Sequence, residues 1–406
     1  MNRSANASAT ESSKWRPTDY FDLGVIGATH GLSDGFSGLL KLILALIVVD
    51  LGLSTFAAGI LLSVFSVSTF LFLYPVSLLA DDSGYKKQIL IIGLALSSIA
   101  FFAMQWAPGF LSVAVLAFIA GAGNATFHPC GTALTAERFA DRRSIAVSMF
   151  SMMGNAGASI MPVVQAFLAT AAGWRISIAA CVFPAAVLLP LVGIRFQNRA
   201  QPSTQFQISL WNRLRSISRL VVQNRSVVLL ASIYALSGMG TGVFSGFLAL
   251  FAEERFGVSI ETVGFALALY YLAGVVAKPL MGVLYSRWGA SMALRVPLFL
   301  SGILIFVIVS MPWKSAFLPV VALIGVTVPI SPIILTAAAD NSDQDALASS
   351  VGLIYTFYGL GFISPLVGGW LAERYSLDVS YLYAGLLLWI AASVTLVLRE
   401  TSTVPE

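Results

Sequence analysis

Long apolar runs separated by short polar turns take up almost the whole chain. They lie near 23–49, 54–80, 88–107, 110–136, 145–172, 176–196, 226–252, 259–285, 292–312, 315–339, 346–370 and 378–398, and are numbered here as spans 1 to 12. About twenty apolar residues suffice to cross the hydrocarbon core of a bilayer as a helix. No water reaches an unpaired N–H or C=O in that medium, so each run is predicted to be helical.

The spans repeat. Phe36-Ser37-Gly38 in span 1 returns as Phe244-Ser245-Gly246 in span 7, 208 positions later. The turn after span 2 holds Leu79, Asp81 and Gly84, and the turn after span 8 holds Gly282, Leu284, Arg287 and Gly289. Pro129 and Pro162 are followed 203 positions later by Pro332 and Pro365. These matches in chain order predict an all-α membrane protein of twelve helices in two pseudo-symmetric six-helix bundles. The bundles are read as 21–196 and 226–398, with a basic linker at 197–225 and tails at 1–20 and 399–406.

Composition agrees with this reading and excludes others. Of 406 residues, 58% are hydrophobic and only 10% charged, too few charges to cover a soluble body of this size. The net charge of +4 is therefore read by position rather than as a nucleic-acid footprint. Seventeen Lys and Arg fall on the segments that share a side with the N-terminus and four on the opposite side, which predicts both termini in the cytoplasm of a bacterial inner membrane. Met1 to Tyr20 has no apolar core of signal-peptide type, so span 1 is expected to remain in the mature protein. In the linker, Trp211, Leu214, Ile217 and Val221 recur at helical spacing beside Arg213, Arg215 and Arg219. That pattern fits a short helix on an anionic leaflet, or equally a solvated linker whose charges only fix topology. Cys130 and Cys181 lie inside apolar runs and make neither a disulfide framework nor a metal spacing. No metal or cofactor is expected, and a monomer is.

Ionisable groups inside the spans carry the candidate chemistry, because placing them in lipid costs several kcal/mol. His30, Asp34 and Lys41 fall on one stripe of span 1, within about 40° of each other at 100° per residue. His128 in span 4 and Lys278 in span 8 are expected at a depth similar to that of His30, counted from the inner ends of their helices. A carboxylate with two imidazoles exchanges protons near neutral pH. His30, Asp34 and His128 are therefore proton-coupling candidates, unless their bonds merely pin spans 1 and 4 together. Lys41 and Lys278 leave this set net positive, which favours an anionic or zwitterionic solute unless they snorkel or pair within the protein. At the repeat offset His30, Asp34 and Lys41 become Gly238, Gly242 and Ala249, so the chemistry is concentrated in the first half.

Other positions have structural or binding readings. Gly154, Gly157 and Pro162 in span 5, and Pro365 with Gly359 and Gly361 in span 11, allow close approach and bending at a rocking interface. Tyr270, Tyr271, Tyr355, Tyr358 and Trp389 form a binding wall or else pack the second bundle. Trp106, Trp174, Trp288, Trp313 and Trp370 suit an interfacial belt.

The turn from Ser77 through Leu79-Ala80-Asp81-Asp82-Ser83-Gly84-Tyr85-Lys86 resembles the inner gating motif of the major facilitator superfamily, G-x-L-A-D-R-x-G-R-K. Leu79, Ala80, Asp81, Gly84 and Lys86 match; Ser77 replaces a Gly, and Asp82 and Tyr85 replace arginines. Gly282, Leu284, Arg287 and Gly289 keep the second-half version, with Ser286 in place of its Asp. His30-x3-Asp34, Phe127-His128-Pro129 and Gly154-Asn155-x-Gly157-x-Ser159 with Pro162 are similar to the fosmidomycin-resistance efflux family. The resemblance implies proton-driven export of a small organic compound by alternating access, with protons and solute as the partners. Proton-linked uptake of an organic acid is the other transport reading. A membrane enzyme lacks a supporting constellation, and a non-transporting sensor has no signalling domain in this chain.

Overall fold

The computed structural model describes residues 15–198, 224–342 and 347–398. The expected linker helix around Trp211 and most of both tails lie outside the described residues. Within them, ten helical stretches are long and apolar enough to cross a bilayer. Ile145–Arg195 and Ile260–Ser310 each run for 51 residues, about 76 Å at 1.5 Å per residue and more than twice a hydrocarbon core. Gly173 (φ 78°) breaks the first and Gly289 (φ 71°) the second. These left-handed conformations suit glycine, and each break divides its stretch into two crossings. Twelve spans result, in an all-helical membrane fold.

Prolines explain where spans 4 and 10 depart from single helices. Span 4 is Phe110–Asn124 followed by Phe127–Arg138, and span 10 is Phe317–Thr327 followed by Ser331–Asp340. A proline ring clashes with the carbonyl four residues earlier. For Pro129 and Pro332 those carbonyls belong to Ala125 and Val328, both at the breaks. In span 11 the residue four before Pro365 is Gly361, inside the 3-10 turn Leu360–Phe362. Around Pro162 the backbone stays helical; the non-helical residue of that stretch is Gly173. Span 7 also departs from a single run, breaking at Phe247 between Arg225–Gly246 and Leu248–Phe256.

Span 1, Pro17–Leu51, is packed on most sides. Its Gly27, Gly31 and Gly35 recur every four residues and face Met153, Gly157 and Met161 of span 5, also four apart. Small residues at this spacing let parallel helices meet backbone to backbone. Between the two halves, span 2 meets span 11 where Gly59 faces Pro365 and Gly369, and span 5 meets span 8 where Gly264 faces Pro162 and Ala166. Polar contacts close the same end: the Phe56 N–H donates to Glu373 Oε2 at 2.9 Å, and the Thr170 hydroxyl donates to Glu261. This end lies opposite the face that carries Trp15 and Leu398.

Large apolar side chains such as Ile92, Ile99, Leu111, Val187 and Val276 are exposed, which suits helices in lipid. Trp106, Trp288, Trp313 and Trp370 are exposed near helix ends. Trp174 departs from the belt expectation. It is buried, donates its indole N–H to Asp50 at 3.2 Å, and is covered by the Arg175 guanidinium at 4.3 Å.

A Cβ at position 157 would overlap the Gly31 backbone, whereas one at Gly193 would meet only Ile91 at 3.6 Å. Gly157→Ala is expected to destabilise the protein by about 1–3 kcal/mol through overpacking. A lower melting temperature in detergent than for Gly193→Ala is the check.

Candidate functional site

The span 1–span 5 seam fixes the surroundings of Asp34. His30 Nδ1 lies 2.8 Å from the Phe150 carbonyl. The imidazole stacks on Phe150 at 4.0 Å, and Phe127 lies beside both rings, 5.4 Å from His30 and 6.1 Å from Phe150. A carbonyl only accepts, so Nδ1 carries a hydrogen and neutral His30 presents a lone pair at Nε2. Nε2 stands 3.4 Å from Asp34 Oδ2 without an aligned hydrogen bond. Two lone pairs facing each other repel; one added proton makes the contact attractive.

His128 completes the group from span 4, with Nε2 3.4 Å from Asp34 Oδ1. An amide clamp sets that approach. Ser33 Oγ donates to Asn124 Oδ1 at 2.8 Å, and Asn124 Nδ2 donates to Ser37 Oγ at 3.2 Å, tying span 4 to span 1 four residues before His128. Gly154 leaves room for the carboxylate, since a Cβ there would sit 2.6 Å from Asp34 Oδ2. The His30 side chain is 7% exposed, Asp34 22% and His128 50%, so access runs inward from His128. The three donor atoms lie within 4.8 Å of one another, a set that a divalent ion can bridge, with no fourth His, Cys, Asp or Glu in the group among the described residues.

The two lysines approach from opposite halves. Lys41 Nζ donates to Ser245 Oγ at 3.3 Å and Tyr271 OH at 3.5 Å; Lys278 Nζ donates to Asn155 Oδ1 at 3.3 Å. Asn155 is oriented by its own bond to the Ser151 carbonyl, 3.0 Å. In the second half Tyr358 stacks on Tyr234 at 4.3 Å, with Tyr355 at 6.2 Å from the same ring, and both Tyr355 and Tyr358 are exposed. Tyr270 is buried against Phe244 and Tyr271. Trp389 packs away from this group, stacked on Phe306 and bonded to the Phe299 carbonyl.

Both motif turns contain a glycine at positive φ, but with different ψ, 4° at Gly84 and 175° at Gly289. Gly84 (φ 70°) ends span 2 and Gly289 (φ 71°) separates spans 8 and 9. Lys86 pairs with Glu137 at 2.6 Å, while Gly282 and Arg287 are exposed. The Asp81 side chain lies outside the described residues.

Sequence reasoning missed several of these groups. Asn124, Ser245 and Tyr234 are uncharged, and the Phe150 carbonyl has no side-chain signature. Asp22 was overlooked because it immediately precedes the apolar run. It is 2% exposed and takes Arg138 at 2.6 Å and Arg195 at 2.5 Å, joining spans 1, 4 and 6. In the sequence, Arg138 and Arg195 belong to the seventeen basic residues that bear on topology.

Residues 26–235 and again 230–406 match the sequence profile of the Major Facilitator Superfamily. The chain belongs to the Major Facilitator Superfamily. It is therefore a secondary transporter, not an enzyme, that binds a small-molecule substrate within the membrane. Over 392 residues it is 24% identical to the fosmidomycin resistance protein of Escherichia coli, covering 92% of each chain. Over 390 residues it is 25% identical to the probable sulfoacetate transporter SauU of Cupriavidus necator, covering 87% of this chain and 88% of that one. The crystal structure of the nucleoside transporter NupG superposes with a TM-score of 0.80 at 12% identity, over 93% of this chain and 100% of that one, and speaks to the fold alone.

For this superfamily member, Asp22→Asn leaves Arg195 without a carboxylate partner and Arg138 with Asp19 alone, at 3.2 Å. The expected loss is at or below the lower end of about 3–5 kcal/mol, because each arginine is about one-third exposed and Arg138 keeps Asp19. Survival of folded protein across a heating series measures it.

Proposed function

We propose that the chain is a proton-coupled secondary transporter that exports a small organic compound by alternating access, with Asp34 as the proton carrier. One observation carries the reading: the Phe150 carbonyl fixes the His30 tautomer so that His30 and Asp34 accept one proton between them, while half-exposed His128 stands at the way in to that pair. A buried group whose neighbours favour a single proton is suited to load on one side and unload on the other. Similarity to the fosmidomycin resistance protein supports export. The bias of Lys and Arg between the two sides supports the inner membrane with both termini in the cytoplasm.

Each remaining site residue has a role in this cycle. Lys41, Lys278, Tyr271, Tyr355 and Tyr358 line the solute path, with Tyr270 backing Tyr271. The turns containing Asp81, Gly84 and Lys86, and Gly282, Arg287 and Gly289, act as the gate. The small-residue contacts at Gly154, Gly157, Pro162 and Pro365 are the surfaces on which helices rock. Uptake with protons is the second reading. It is favoured by Lys41 and Lys278, whose charge suits an organic acid, and by similarity to a probable sulfoacetate transporter.

Asp34→Asn is expected to abolish transport driven by an imposed pH gradient while the yield of monodisperse protein in detergent stays unchanged; wild-type rates refute the carboxylate as carrier. In everted vesicles, solute accumulation driven by an inside-acid gradient establishes export by proton exchange, and accumulation only under the opposite gradient establishes co-transport.

A further inference from the structure

Lys41 and Lys278 remain after the proton group is accounted for. Among the described residues neither has a carboxylate within 4.0 Å, and each donates only to neutral oxygens at 3.3–3.5 Å. Both Asp34 oxygens face histidines instead. Asp34 offsets one of these two charges at longer range, through Lys278, and the positive charge in excess at membrane depth is left to a ligand.

Their register sets its shape. Lys41 meets span 8 at Tyr271, seven residues before Lys278 on nearly the same face of that helix, so the backbone positions that carry the two contacts are about 10 Å apart along its axis. On span 1 the interval from Lys41 back to Asp34 is again seven residues, and Gly38 stands between them. A Cβ at Gly38 would meet nothing within 4 Å, although the residue is buried. Gly242 of span 7, one turn before Ser245, also has open space at its Cβ position. The space beside Lys41 is therefore unfilled from both halves.

We propose, on the basis of the transport reading above, that the substrate is a two-headed organic anion. One acidic group (carboxylate, sulfonate or phosphonate) binds Lys41 with Ser245 and Tyr271. The other binds Lys278 with Asn155, and a short carbon chain crosses the gap beside Gly38.

Equilibrium binding to purified protein in nanodiscs tests this with succinate, glutarate, adipate, 3-sulfopropionate and 3-phosphonopropionate, each against the monocarboxylate of matching length. At least one two-headed acid is expected to bind tenfold or more tightly than its monoacid. Lys41→Gln and Lys278→Gln should each lower it to the monoacid affinity. Gly38→Leu should abolish binding, and its melting temperature distinguishes a filled gap from a misfolded protein. Equal affinity for both acid types, absence of saturable binding across the series, an unchanged affinity in Lys41→Gln, or wild-type binding in Gly38→Leu overturns the assignment. The proton reading is judged separately. Asp34→Asn that still loses pH-driven transport while wild-type protein shows no diacid preference rejects the substrate class alone; Asp34→Asn that transports normally while the diacid preference stands rejects the coupling alone.

Discussion

The contact between Gly27-Gly31-Gly35 of span 1 and Met153-Gly157-Met161 of span 5 is the constraint on which the site depends. A stripe bearing His30, Asp34 and Lys41 is costly against lipid, so that face of span 1 has to meet protein or water. The glycine seam lies next to the stripe and draws span 5 close enough for the Phe150 carbonyl to reach the His30 ring. It also brings Asn155 to the place where Lys278 arrives from the other half. With larger residues in the seam, the imidazole loses its fixed tautomer before any ionisable group is altered.

Repetition of a six-helix unit has been used asymmetrically. Gly238, the counterpart of His30, faces the ring of Tyr358, where a Cβ would sit 2.7 Å away. Thus the position occupied by an imidazole in one half makes room for an aromatic wall in the other. Ser37 and Ser245 are also counterparts. The first takes a bond from Asn124 and helps to hold span 4, whereas the second takes one from Lys41 across the interface. One residue type serves packing in the first bundle and contact between bundles in the second.

Helix number and the intramembrane charges were legible because each follows from a strong energetic rule: apolar length in lipid, and the cost of burying charge. The spacing of His30, Asp34 and Lys41 was enough to put them on one face. Breaks at Ala125 and Val328 were signalled by Pro129 and Pro332, but the apolar runs were read as continuous. The glycines at 27, 31 and 35 were visible yet unread, since small residues are common in membrane helices and nothing in one sequence says which seam they belong to. Asp22 lies just before the apolar run, and its partners leave no sequence signal either. Its two arginines come from spans 4 and 6, and a three-dimensional meeting of helix ends leaves no spacing to find. The Phe150 carbonyl is harder still, because every residue has one.

Charge balance connects solute and proton. With both histidines neutral and Asp34 ionised, Lys41 and Lys278 leave the site one positive charge in excess. A singly charged anion neutralises that excess without a proton. An anion with two charged heads overshoots by one, and a proton on the His30–Asp34 pair restores neutrality. Uncompensated charge is expensive in a low-dielectric interior, so the two-headed solute inferred above favours proton-linked uptake, the second reading of function, whereas export by proton exchange suits a singly charged solute. The number of acidic groups on the solute therefore bears on the direction of transport through the same two lysines and one carboxylate.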